Sequence, residues 1–192
     1  GTPPRGLGRG AVAPGVPVRP PEVVAYPATV ALGAFGGMVS GHRCSGGPAM
    51  IEYVKRLGGS PHATVLGAGL KTSVELAAMA NGTFAHATEY EDDSFPEAVS
   101  SYTLFPAIFA MGEHLQSSGE RVIEAFVAGY EAQARIGLAC REARRLGYMV
   151  LSLAGSIGGA VAAAKLLGLD VKKPTLAISV APSQGRGTGY RT

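Results

Sequence analysis

Apolar residues recur at helical spacing from about residue 22 to residue 182, and Gly or Pro punctuates them wherever the pattern breaks. Residues 22–40 are apolar and rich in small side chains. They predict a helix that starts near Glu22 or Pro27 and packs closely through Gly33, Gly36 and Gly37. Pro48 suits the first turn of a second helix, with Met50, Ile51, Val54 and Leu57 on one face and Gly58-Gly59 as its stop. Residues 62–71 are β-rich and Gly-punctuated, which predicts a short extended or hairpin-like excursion. Thr72 or Ser73 then caps a helix carrying Val74, Ala77, Ala78, Asn81 and Ala85, and Glu75 is placed to close a capping box from Thr72.

Residues 94–101, with Pro96, read as a loop, and 102–115 as a helix. The clearest helical pattern covers 120–141, with Val122, Ile123, Phe126, Val127, Tyr130, Ala134 and Leu138 at core spacing. An Ala/Gly-rich helix follows over 149–167, where Gly155, Gly158 and Gly159 permit close approach of a neighbour, and a last helix over 175–181. The expected fold is all-α, a bundle of about seven helices with one β excursion near 62–71. No βαβ alternation supports a Rossmann or P-loop fold.

Composition sharpens this outline. The chain has 192 residues, 46% of them hydrophobic and only 16% charged, enough for one sizeable core of closely packed helices. Residues 1–21 hold Arg5, Arg9 and Arg19 among Gly and Pro and read as an extended arm; 183–192 read as a flexible tail. Those ends, with Arg186 and Arg191, account for the net charge of +3. The centre is slightly acidic, so no nucleic-acid face is expected. Cys44 and Cys140 form no framework and no CxxC, which fits a reduced, cytoplasmic setting. No apolar run is long enough for a membrane span, and Gly and Pro break up any signal-peptide core.

The chemically densest stretch is Glu89, Glu91, Asp92 and Asp93, four carboxylates at the C-terminal end of a predicted helix. That is the unfavourable end of the helix dipole, so the charge is offset by something else. Solvation, a hard cation and proton transfer are the three ways to hold such a group. A metal-diphosphate site needs a second acidic motif on a facing helix, and none is present, so no metal is expected. His86 lies three residues before Glu89, a spacing that allows a hydrogen bond fixing the imidazole tautomer; a satisfied structural histidine is the plainer alternative. His42, His62 and His114 form no zinc spacing. The Gly67 and Gly155 clusters lack the strand, helix and Lys of a phosphate loop.

The stretch from Lys71 to Asp93, with its ELAAMANGTFAHATEYEDD core, resembles the signature of the MmgE/PrpD family. Residues 58–67 resemble the family's turn before this helix, 106–113 its PAxxAxxE helix, 128–136 its GYE…RI helix and 160–170 its AAAAAKLLGLD segment. The ordered match runs over about 22–182. The family includes 2-methylcitrate dehydratase, cis-aconitate decarboxylase and iminodisuccinate epimerase.

The resemblance implies the first part of an all-helical domain, without the smaller α+β lid that follows it in the family. It also implies a homodimer, or a second chain that supplies the lid. The implied activity is a cofactor-independent lyase (dehydratase or decarboxylase) that removes a proton next to a carboxylate of a small carboxylic acid, with epimerisation as the alternative. Residues 93–96 and 106–114 are especially like the epimerase member.

The family's acidic motif, H-A-x-D-[FY]-D-D-[TS], places Glu89 at the first Asp, and Asp93 (or Ser94 with one inserted residue) at the Thr/Ser. Glu89, Asp92 and Asp93 are therefore the implied catalytic wall, with His86, Tyr102 and Tyr148 as substrate contacts. Two family histidines fall at Val99 and Met149, and the family's lysine lies beyond the aligned stretch. A non-catalytic, degenerate helical dimerisation module is the further alternative.

Overall fold

A computed structural model of the protein describes residues 21–94, 99–169 and 178–183. In chain order these form α1 (Pro21–Gly41), α2 (Gly47–Leu57), β1 (Ala63–Val65), β2 (Leu70–Thr72), α3 (Val74–His86), β3 (Asp93–Ser94), β4 (Val99–Ser100), α4 (Phe105–His114), α5 (Gly119–Ala139) and α6 (Val150–Leu166). Single 3-10 segments cover Ser101–Thr103, Arg141–Leu146 and Ala181–Ser183. The fold is mainly α, as the periodicity predicts. The arm up to residue 20 and the tail after Ser183 lie outside the described residues. So does most of the last helix, of which Ile178–Val180 is seen as helical.

The principal core gathers α1, α4, α5 and α6 around an aromatic stack. Phe105 lies flat on Phe126, with ring centroids 4.4 Å apart and planes 6° from parallel. Helices α5 and α6 make the most extensive pairing in the molecule. It is built on two glycines: a Cβ on Gly129 would fall 2.8 Å from the carbonyl oxygen of Gly158, and one on Gly158 would fall 2.8 Å from that of Gly129.

The predicted face of α5 holds for Phe126, which is buried, and for Val122, Val127 and Tyr130, which pack on the core, and it widens to include small residues. Its buried residues are Ala125, Phe126, Gly129, Ala132, Gln133 and Gly137, whereas Leu138 is 45% exposed. The small-residue stripe turns inward because it permits closer approach than a leucine face. Of the three glycines expected to pack in α6, Gly155 and Gly158 do so, against Thr103 and Gly129. Gly159 faces open space.

A second core lies under the β1–β2 hairpin, where Ala63, Val65, Val54, Ala77, Ala80 and Phe84 pack together. The hairpin runs in antiparallel register Ala63↔Thr72 and Val65↔Leu70. Asn81, 1% exposed, pins it to α3: its Oδ1 accepts from Leu66 N at 2.9 Å and its Nδ2 donates to Thr64 O at 3.0 Å. Glu113 of α4 clamps the other side, accepting from Thr64 N, Thr64 Oγ1 and Lys71 Nζ, each at 2.7 Å.

Two local expectations change. The cap of α3 is Ser73, whose hydroxyl accepts from Leu76 N at 3.4 Å. The capping box from Thr72 does not form, because Thr72 ends β2 and its hydroxyl donates to Gly58 O at 2.6 Å. Residues 94–101, expected as a plain loop, contain a second small ladder, Asp93↔Ser100 and Ser94↔Val99; residues 95–98 are outside the described set. Among the described residues no helix is long and apolar enough to cross a membrane.

Candidate active site

Helix α3 ends at His86, and the chain then turns sharply through 87–92 into β3. Glu89 carries the turn with φ +49°, a left-handed conformation that a non-glycine residue adopts at a cost of about 1–2 kcal/mol. Its side chain is exposed. The residues on either side, Thr88 and Tyr90, line an open cleft of about 550 Å³. The far wall is the glycine face of α1, Gly33, Gly36 and Gly37, and the floor includes Tyr102.

The tertiary structure separates the four carboxylates that the sequence crowds together. Glu91 turns in, its side chain only 13% exposed, and pairs with Nδ1 of His86. The expected His86–Glu89 hydrogen bond is therefore replaced. Helix α3 stops at His86, so Glu89 no longer sits one turn above it, and the turn brings Glu91 round instead. The Glu91 hydrogen bond raises the His86 pKa; partial burial opposes it, and the charges of Glu91 and Glu89 add to the rise. The imidazole itself is 65% exposed.

Asp92 points the other way and is held from both sides. Its Oδ1 accepts from the backbone N of Ser101 at 3.1 Å and from the Ser101 hydroxyl. Its Oδ2 accepts from the Tyr26 hydroxyl at 3.3 Å, and that hydroxyl lies 3.1 Å from Tyr130 Oη. Burial, then the Tyr26 hydrogen bond and nearby Asp92 and Asp93, push the Tyr130 phenol well above the usual tyrosine range. Asp93 is exposed on β3.

Tyr102, 6% exposed, donates from its hydroxyl toward Tyr90 O at 2.5 Å, with Gly33 O at 3.3 Å. Burial and the charges of Asp92 and Glu91 raise its pKa, so it acts as a hydrogen-bond donor and not as a base. Tyr148 follows the 3-10 segment Arg141–Leu146, 54% exposed, and does not line the cleft. Its neighbour Met149, at one of the family's histidine positions, is 50% exposed.

The structure thus groups Glu89, His86, Asp92 and Tyr102 around one turn and leaves Tyr148 elsewhere. The partners that complete the arrangement, Glu91, Tyr26 and Tyr130, were not singled out as site residues from the sequence. Tyr26 and Tyr130 lie 66 and 104 positions from the groups they reach, and no local pattern signals either contact. Among the described residues, no three His, Cys, Asp or Glu side chains converge to hold a metal ion.

A helical domain with an NGTFAHATEYEDD turn at the end of a buried helix defines the class. The chain belongs to the MmgE/PrpD family, whose N-terminal domain matches residues 16–191. Among its relatives, cis-aconitate decarboxylase of Aspergillus terreus is 36% identical over 132 residues, 64% of this chain and 27% of that protein. Cis-aconitate decarboxylase of Mus musculus is 30% identical over 141 residues, 70% of this chain and 29% of that protein. The human protein of the same name is 32% identical over 113 residues, 56% of this chain and 24% of its own length. The chain therefore spans less than a third of the curated relatives it matches.

Proposed function

We propose that the protein is a lyase-type enzyme acting on a small carboxylic acid by moving a proton at a carbon next to a carboxylate, without a metal or organic cofactor. Similarity to cis-aconitate decarboxylases supports the class. The observation that carries the reading is Glu89: an exposed carboxylate held at φ +49° between two residues that line a cleft. Backbone strain of this kind is kept where the surroundings demand a particular side-chain direction.

In this reading Glu89 is the base. Asp92, anchored by Ser101 and Tyr26, fixes the course of the turn, and Asp93 is exposed beside it. The named lining residues of the cleft carry hydroxyls (Thr29, Ser40, Thr88, Tyr102) but no charge. His86, on the same turn, contacts the substrate, and Tyr102 orients the turn through its hydrogen bond to Tyr90 O. The test is turnover by the protein and by Glu89→Gln, read as CO₂ release from cis-aconitate, water loss from a hydroxylated tricarboxylic acid such as citrate, and change of chirality in a carboxylic acid with a stereocentre next to its carboxylate. Wild-type CO₂ release that Glu89→Gln does not diminish removes Glu89 from the chemistry; chirality change without release of either product favours epimerisation.

A second reading is a non-catalytic helical dimerisation module. It is favoured by the exposed apolar side chains of α1, where Leu32, which also lines the cleft, is 74% and Phe35 44% exposed. In either reading the protein is a homodimer. Light scattering on the protein and on Leu32→Glu tests that face. A Leu32→Glu protein as dimeric as the wild type excludes α1 from the interface.

A further inference from the structure

We propose that His86 is the proton donor of this site and that Glu91 is its positioning residue. The inference rests on the lyase reading above and adds a second proton-carrying group to it.

The pair has the geometry of an oriented acid. The Glu91 carboxylate meets Nδ1 of His86, so that nitrogen carries a hydrogen and the ring is held in one orientation. Glu91 is nearly buried and His86 mostly open, at 13% and 65% side-chain exposure. The buried partner fixes the ring while the imidazole as a whole stays mostly open. A carboxylate behind an imidazole is a recurring way to orient the ring and stabilise its charged form. His86 is also the last residue of α3, where the helix dipole favours a cation.

Glu89 lies near enough to His86 for its charge to favour the imidazolium. A base and an acid thus stand on the same turn, three residues apart. The two positions where the family resemblance leads one to look for histidine are Val99 and Met149, so His86 is the imidazole that the turn itself supplies.

The titratable and charged groups around this end of α3 are Glu89, Tyr90 and Glu91 on the turn, His42 and Arg43 just past α1, and Tyr102. Of these, the Glu91 and Glu89 carboxylates bear on the His86 charge, and both favour the protonated form. Arg43 Nε faces His42 Nε2 at 3.3 Å.

The proton balance is closed. In an elimination, Glu89 takes the proton from carbon, the C–O bond breaks with its electron pair on oxygen, and Nε2–H of His86 protonates that oxygen so that water leaves. In a decarboxylation, the C–C bond gives its electron pair to the remaining carbon skeleton as CO₂ departs, Nε2–H protonates the carbon that receives it, and Glu89 acts through the charge that keeps His86 protonated. The neutral imidazole then recovers a proton from water, and after an elimination Glu89 gives its proton back to water, so the elimination releases only water and the decarboxylation consumes one proton.

The experiment pairs a titration with kinetics on the full protein. The imidazole of His86, assigned with His86→Gln, is titrated by NMR in the wild type and in Glu91→Gln. The midpoint is expected to fall in Glu91→Gln. With cis-aconitate as probe, the alkaline limb of kcat/KM is expected to follow the wild-type midpoint and to move to lower pH in Glu91→Gln by the same interval. His86→Gln is expected to lose the limb and about 10²–10⁴-fold in kcat, with a smaller change in KM.

An NMR midpoint unmoved by Glu91→Gln overturns the pairing. Wild-type turnover with kcat retained in His86→Gln overturns the donor role while leaving the lyase reading intact. A wild type that turns over no carboxylic acid overturns both, and is recognised because no variant is then needed to see it.

Discussion

Gly129 and Gly158 face each other across α5 and α6 so closely that a methyl group on either would fall 2.8 Å from the other's carbonyl oxygen. Backbone, not a flexible side chain, stands in the way. Gly129→Ala and Gly158→Ala are each expected to destabilise by about 1–3 kcal/mol despite the better helix propensity of alanine. Gly159→Ala, with nothing within 4 Å of the new methyl, is expected to stabilise by about 0.5–1 kcal/mol. Urea unfolding of the three variants checks the contrast, and a stabilising Gly158→Ala contradicts the packing.

Among the described residues, two non-glycine residues hold positive φ, Glu89 at +49° and Gln116 at +52°. Glycine at either position is expected to raise stability by about 0.5–1 kcal/mol, since relief of the left-handed penalty outweighs the entropy glycine adds to the unfolded chain. Only Glu89→Gly is expected to abolish turnover. Thermal unfolding and cis-aconitate turnover measured on both variants separate strain kept for chemistry from strain at an ordinary helix end.

Stability is expected to fall on both sides of neutral pH. Burial alone would raise the Glu113 pKa, but the Lys71 and Thr64 hydrogen bonds outweigh it and the net shift is down. A carboxyl lowered in the folded state stabilises above its unfolded pKa, and that contribution is lost as pH drops through the folded value. His86 is raised, chiefly by its hydrogen bond to Glu91, so its contribution is complete below its unfolded pKa and is lost as pH rises through the folded one. Denaturation midpoints from pH 3 to 9 should flatten on the acid side in Glu113→Gln and on the alkaline side in Glu91→Gln.

Asn81→Ala is expected to cost about 2–3 kcal/mol, because it leaves Leu66 N–H and Thr64 C=O without their partner beneath the hairpin. Hydrogen exchange should show the loss concentrated in β1 and β2. Exchange that rises equally in α6 would mean the hairpin is not a separate unit.

The helix order, the hairpin near 62–71 and the stops at Gly58-Gly59 were legible in the chain because each depends on neighbours three or four residues away, or on a glycine at positive φ. The acidic turn was visible for the same reason, as a local density of charge. What became of those charges was not visible. Local spacing paired His86 with Glu89; the end of α3 and a left-handed Glu89 instead bring Glu91 to the imidazole. Asp92 is turned away from its neighbours by Ser101 and by Tyr26, the latter 66 residues distant. The amphipathic stripe of α5 put Val122, Phe126, Val127 and Tyr130 on the core as expected, whereas Leu138 is exposed and the reciprocal approach of Gly129 and Gly158 adds glycine and alanine positions to the buried face. Periodicity sets which residues share a side of a helix. Which side is buried, and which carboxylate meets which donor, depends on the closest approach the folded backbone allows between segments remote in sequence.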